Sequence, residues 1–151
     1  MIMRMLDHGG MAILSDGVRG ADEDNPRGYY EYEKVKRLHE DASWVAEARG
    51  KVVKVVSPLL GYLPPGFPYK VVFVRRNIRE ILESQRKMLL RSGKKADRGE
   101  DAPLAARFES HLNKLGDWLE AQPNIDCLYV HYNDVIRSEE RRVGKECRSR
   151  W

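Results

Sequence analysis

The spacing of apolar residues changes several times along the chain, and each change marks an element. Met1 to His8 follow a helical period that stops at Gly9-Gly10. "MAILSD" (Met11 to Asp16) is a short apolar run that suits a buried strand. "GVRGADEDNPRGYY" (Gly17 to Tyr30) concentrates Gly, Asp, Asn and Pro, which predicts a long loop. "YEKVKRLHEDASWVAEARG" predicts a helix with Val35, Leu38, Val45 and Ala48 turned inward, Gly50 as its stop and a break at Asp41-Ala42-Ser43. "KVVKVVS" (Lys51 to Ser57) predicts a β-branched strand ended by Pro58, and "PLLGYLPPGFP" turns with one short helical turn. "YKVVFV" (Tyr69 to Val74) predicts the next strand. "NIREILESQRKMLLR" predicts a helix striped by Ile78, Ile81, Leu82, Met88 and Leu89, with Gln85 inside the stripe and needing a partner there. A polar loop, "SGKKADRGED", leads to a helix with Leu104, Phe108, Leu112, Leu115 and Leu119 on one face. Asp101 serves as its cap and Pro103 lies in its first turn. "IDCLYVHY" (Ile125 to Tyr132) predicts the last strand.

Strands alternate with helices, and the strand runs are almost continuously apolar. Together these predict an α/β fold: a doubly wound, mostly parallel sheet covered on both faces. The length of 151 residues suits one domain. No apolar run is long enough to cross a bilayer, and the first ten residues lack the pattern of a secretory signal. A cytoplasmic protein is therefore expected.

The last fifteen residues, "RSEERRVGKECRSRW" (Arg137 to Trp151), resemble the in-frame translation of a sequencing adapter and are set apart from the domain, residues 1–136. The tail holds six of the 27 Lys/Arg and three of the 23 Asp/Glu. Residues 1–136 then carry 21 basic and 20 acidic residues, a net charge of +1. Net charge thus gives no support to a nucleic-acid or membrane-surface partner. Cys127 is the one cysteine outside the tail, so no internal disulfide is expected, and its apolar run makes it a small buried hydrophobe. His8, His39, His111 and His131 lack metal-ligand spacing.

Candidate chemistry gathers where "YKVVFVRRN" passes from strand to helix. Ligands of parallel sheets bind beyond the carboxyl ends of the strands, where Arg75 and Arg76 stand. Asn77 suits an N-cap, and Glu80 occupies the capping-box position. A helix start beside an arginine fork can grip an oxyanion. Ser84 lies two turns along, at the border of the apolar stripe.

A strand ending in an arginine, with a serine eight residues later, resembles the sulfotransferases that use 3′-phosphoadenosine-5′-phosphosulfate (PAPS). Upstream, "VVKVVSPLLGYLPPGFPYKVVFVRRN" has that family's strand, proline turn, second strand and arginine in order. "DEDNPRGYYEYE" resembles the Asn-Pro-x-Gly-aromatic-aromatic-Glu segment of bacterial members, and "LYVHYNDVI" a late Tyr-x-Asp-Leu strand end. The resemblance covers nearly all of residues 1–136. It implies a P-loop-like sheet, transfer of a sulfuryl group from PAPS to a hydroxyl or amine, and no metal. It puts Arg76 and Ser84 on the 3′-phosphate of the co-substrate. Many relatives carry a lysine, then a histidine two residues on. Here Lys54 matches the lysine, but Val56 stands at the histidine position and accepts no proton. Asp22, Glu23, Asp24, Glu31 and His39 are the alternative bases, and Glu31, after an aromatic pair that can wall an acceptor pocket, is the preferred one.

The family's opening strand and Pro-x-Ser-Gly-Thr loop would precede Met1, the helix ending at Gly10 resembling the one that follows that loop, and its late Arg-Lys-Gly segment would follow residue 136. The resemblance therefore implies an incomplete domain that binds the product nucleotide weakly or not at all and does not turn over. The acceptor is a small molecule, carbohydrate or peptide. Two other readings remain: a kinase-like phosphoryl transferase, for which no P-loop lysine or magnesium ligands are visible, and a non-catalytic nucleotide-binding or structural fragment.

Overall fold

The computed structural model describes residues 1–21, 25, 28–91, 93 and 101–138. Within them the chain is a mixture of helix and strand with a parallel two-stranded sheet, which agrees with a general α/β class. It divides into two compact units, Met1–Phe67 and Pro68–Trp151.

The first unit opens with α1 (Ile2–His8), which closes at Gly9 through bonds to the carbonyls of Asp7 and Met5. The predicted strands at 11–16 and 51–57 do not form. A single parallel bridge joins Ile13 to Val52, with Leu14 N donating to Val52 O and Val52 N to Ala12 O. Val53 to Val56 have no ladder partner, and β-branched residues make a strand only where a neighbour completes it. The predicted helix over 32–50 is instead two 3₁₀ helices, Glu33–Arg37 and Ser43–Ala48, parted at the expected Asp41-Ala42-Ser43 break. Asp41 causes the break locally, since its carboxylate accepts the Ser43 amide at 2.9 Å. Pro58 lies in the first turn of a third 3₁₀ helix, Ser57–Tyr62. Val35, Leu38 and Val45 are buried as predicted, and so are Leu60 and Trp44. Trp44, 1% exposed, meets the Tyr32 ring edge-on at 5.4 Å.

The second unit contains β1 (Tyr69–Arg75), α2 (Ile78–Arg91), α3 (Asp101–Glu120) and β2 (Ile125–His131), followed by helix over 132–138. β1 pairs with β2 in parallel, Tyr69 opposite Ile125 through Arg75 opposite His131. This is a strand–helix–strand crossover, the connection a parallel pair requires. Tyr69, Val71 and Phe73 share the half-buried face with Ile125, Cys127 and Tyr129, and Phe73 meets Tyr129 edge-on at 5.7 Å. Burial pushes the Cys127 thiol and the Tyr129 hydroxyl above their ordinary values.

The other sheet face is open, against the expectation of cover on both sides. Val72, Val74 and Leu128 are exposed, Leu128 by 62%. α3 packs on β2 and on α2, buries Leu115 and Leu119 and half-buries Leu104, Phe108 and Leu112. The Arg86–Asp101 ion pair ties α2 to the start of α3. On α2 only Leu82 is fully buried; Met88 and Leu89 are exposed, and Gln85 faces solvent instead of the interior.

Candidate functional site

The candidate side chains fall into two groups, one in each unit. In the second unit, β1 delivers Arg75 and Arg76 to its carboxyl end, and β2 runs alongside in parallel. The Arg75 guanidinium lies 4.2 Å from the Tyr129 ring centre, across the sheet diagonal. Arg76 lies over Tyr132, just past β2, at 4.8 Å. Its Nε also faces Glu80 Oε2 at 3.7 Å. Glu80 Oε1 in turn accepts from Asn133 Nδ2 at 3.0 Å. The carboxylate predicted to fold back as a capping-box partner therefore bridges Arg76 to the segment after β2. Asn77 does cap α2, its side chain accepting the Arg79 amide at 2.9 Å.

Ser84 follows Glu80 by one helical turn and opposes buried Leu82, so it stands exposed on the Glu80 side of α2. It lies beyond the border of the apolar stripe where the sequence put it. Among the described residues no hydrogen bond joins Arg76 to Ser84; Glu80 lies between them along the helix. Ring and carboxylate fix the plane of Arg76 on one edge. Its two terminal amino groups make no bond among the described residues, which leaves a planar donor fork for an oxyanion.

In the first unit the structure brings Lys54 and Glu31 together. Lys54 Nζ lies 3.4 Å from Glu31 Oε1 and donates to the Tyr29 carbonyl at 3.2 Å. Arg19 Nη1 reaches the same Glu31 oxygen at 3.3 Å and lays its guanidinium on the Tyr29 ring at 3.5 Å. Two cations thus hold one carboxylate oxygen, and Oε2 has no partner among the described residues. A shallow depression of about 200 Å³ opens here, bounded by Arg19, Tyr29, Tyr30 and Glu31 with Gly17, Gly20 and Gly28. Tyr30 has φ 51°, a left-handed backbone that is costly for an aromatic residue.

Arg19 and Asp16 were missed by the sequence reading. Asp16 Oδ1 accepts the Val18 amide at 3.1 Å and Oδ2 the Glu33 amide at 2.5 Å. These two amides, Glu33 first, hold its carboxyl below the ordinary 3.8. An Asx turn was legible in "SDG"; nothing in the sequence pointed to Arg19. Val56, at the position where a histidine would act, is 54% exposed. His39 pairs with Glu40 at 3.4 Å and tilts against Tyr62, as a surface histidine does. Asp22, Glu23 and Asp24 lie outside the described residues. Among the described residues no three His, Cys, Asp or Glu side chains gather to hold a metal ion.

Comparison of the chain with protein-family models, with curated proteins and with solved structures finds no match.

Proposed function

We propose that the chain belongs to a PAPS-dependent sulfotransferase of P-loop-like α/β fold, in which Arg76 and Ser84 hold the 3′-phosphate of the nucleotide. The observation that carries the proposal is the setting of Arg76. It stands at the carboxyl end of a parallel strand, its plane is steadied by Tyr132 and Glu80, and its amino groups meet no acceptor among the described residues. A fork so held suits a tetrahedral oxyanion, and the hydroxyl one turn beyond Glu80 adds a neutral donor.

For the transfer we assign Lys54 and Glu31. The acceptor oxygen bonds to sulfur, the bond from sulfur to the 5′-phosphate oxygen breaks, and 3′,5′-adenosine bisphosphate leaves. The acceptor proton goes to Glu31, whose Oε2 is the oxygen not taken by Arg19 and Lys54. Lys54 supplies positive charge to the oxygens that gain charge in the transfer. The acceptor is a small molecule, carbohydrate or peptide bearing a hydroxyl or amine.

Thermal shift at millimolar nucleotide tests the phosphate assignment. A charge-assisted bond contributes about 1.5–3 kcal/mol, roughly a ten- to hundredfold preference. The bisphosphate should therefore raise the melting temperature above the value seen with 5′-AMP, which lacks the 3′-phosphate. Arg76→Ala should make the two nucleotides equivalent. Equal shifts in the unaltered chain, or a preference that survives Arg76→Ala, would refute the assignment.

A further inference from the structure

We propose that Asp16 is the positioning residue of the first unit: its carboxylate ties the Val18 amide to the Glu33 amide and thereby sets Glu31 against Lys54. The inference deepens the catalytic assignment of Glu31 and Lys54 and rests on it for its functional meaning. Its structural content stands on three bonds. Asp16 holds the start of the loop through the Val18 amide and the far side through the Glu33 amide. Its own amide donates to the Glu31 carbonyl at 3.2 Å. Glu31 is thus held by its carbonyl and by the amide two residues on, and from that backbone position its side chain meets Arg19 and Lys54.

The backbone inside the clasp is under load. Gly17 (φ 68°) and Gly28 (φ 78°) take left-handed conformations at little cost. Tyr30 (φ 51°) does so at a cost of about 1–3 kcal/mol and persists only where its surroundings over-determine it. The main-chain amide of Asp16 bonds the residue directly after Tyr30, and its carboxylate holds the Glu33 amide two residues further on. With the two carboxylate bonds gone, that single main-chain bond no longer holds the strained turn: Tyr30 relaxes to negative φ and turns Glu31 away from Lys54.

Acylation rates of individual lysines in the full chain, read by mass spectrometry, test the inference without any nucleotide. Lys54 should react severalfold more slowly than exposed Lys51. Asp16→Ala and Glu31→Gln should each raise the Lys54 rate to the same level, and the double variant should go no higher. Lys34 and Lys51 should keep their rates. Tyr30→Gly, which removes the strain, should restore part of the Lys54 protection in the Asp16→Ala background. If Asp16→Ala unfolds the unit, seen as loss of the buried Trp44 signal, Asp16→Asn takes its place and should raise the Lys54 rate alone. An unchanged Lys54 rate, a common rise at Lys34, Lys51 and Lys54, or additive effects in the double variant would overturn the inference. Because no nucleotide enters the assay, its result is separate from that of the bisphosphate comparison.

Discussion

Arg76 and Arg75 are neighbours in sequence with different settings. Both lie on tyrosine rings, but only Arg76 also meets a carboxylate, and that carboxylate is itself anchored by Asn133. Arg76→Lys keeps the charge and loses both the fork and the stacking plane. Titration calorimetry should show it retaining only part of the bisphosphate preference, between the unaltered chain and Arg76→Ala; full retention would mean that charge alone suffices. Asp16 gives a prediction in pH. Its carboxyl titrates lower in the folded chain than in the unfolded one, through the Glu33 and Val18 amides, with Lys36 adding in the same direction. Its stabilising contribution is complete above about 3.8 and is lost as pH falls through the lower folded value. The Glu33 amide resonance should therefore move with a midpoint below 3.8, and Asp16→Asn should abolish that step. At this scale the sequence was partly legible. Lys54, Arg76 and Ser84 were named from the resemblance and Glu31 from its place after the aromatic pair; Lys54 and Glu31 meet, while no bond joins Arg76 to Ser84 among the described residues. Arg19 and Asp16 were hidden because their roles arise from a loop folding back on itself, which no local period records.

Elements read correctly where their partners are present. β1, β2, α2 and α3 fall where the pattern put them, because each finds a neighbour: β1 pairs with β2, and α3 packs on β2 and α2. The run at 51–57 has the same β-branched composition as β1 but only one bridge, so composition without a ladder left it irregular. Continuous apolar runs also overstated burial, since Val72, Val74 and Leu128 point to an open face. Energetics should follow these differences. Leu119, 2% exposed, should cost about 2–5 kcal/mol on substitution by Ala in urea unfolding. Leu128→Ser on the open face should stay within about 0.5 kcal/mol, and a large loss there would mean that the face is covered in solution. Asp101→Asn breaks a partly exposed ion pair and should cost no more than about 1 kcal/mol.

For the whole chain, charge and membrane arguments set outer limits. Near-neutral net charge over residues 1–136 supplies little overall attraction for an anion, so its recognition rests on placed side chains. Among the described residues no helix is long and apolar enough to cross a membrane. The helix after β2 extends to residue 138, two residues into the adapter-like tail, with Ser138 Oγ donating to the Val135 carbonyl at 2.7 Å. The α/β class was legible from alternating periods; the two compact units were not, because the loss of the 51–57 strand depends on tertiary pairing. The proposed function requires a ribose 3′-phosphate to meet Arg76. An amide and arginine side-chain nuclear magnetic resonance map, recorded while 3′,5′-adenosine bisphosphate is added, tests that claim most directly. Shifts should concentrate on Arg76 Nε, on the amides from Asn77 to Ser84 and on Tyr132 and Asn133, with 5′-AMP moving them far less. Shifts confined to other segments, or none at millimolar nucleotide, would contradict it.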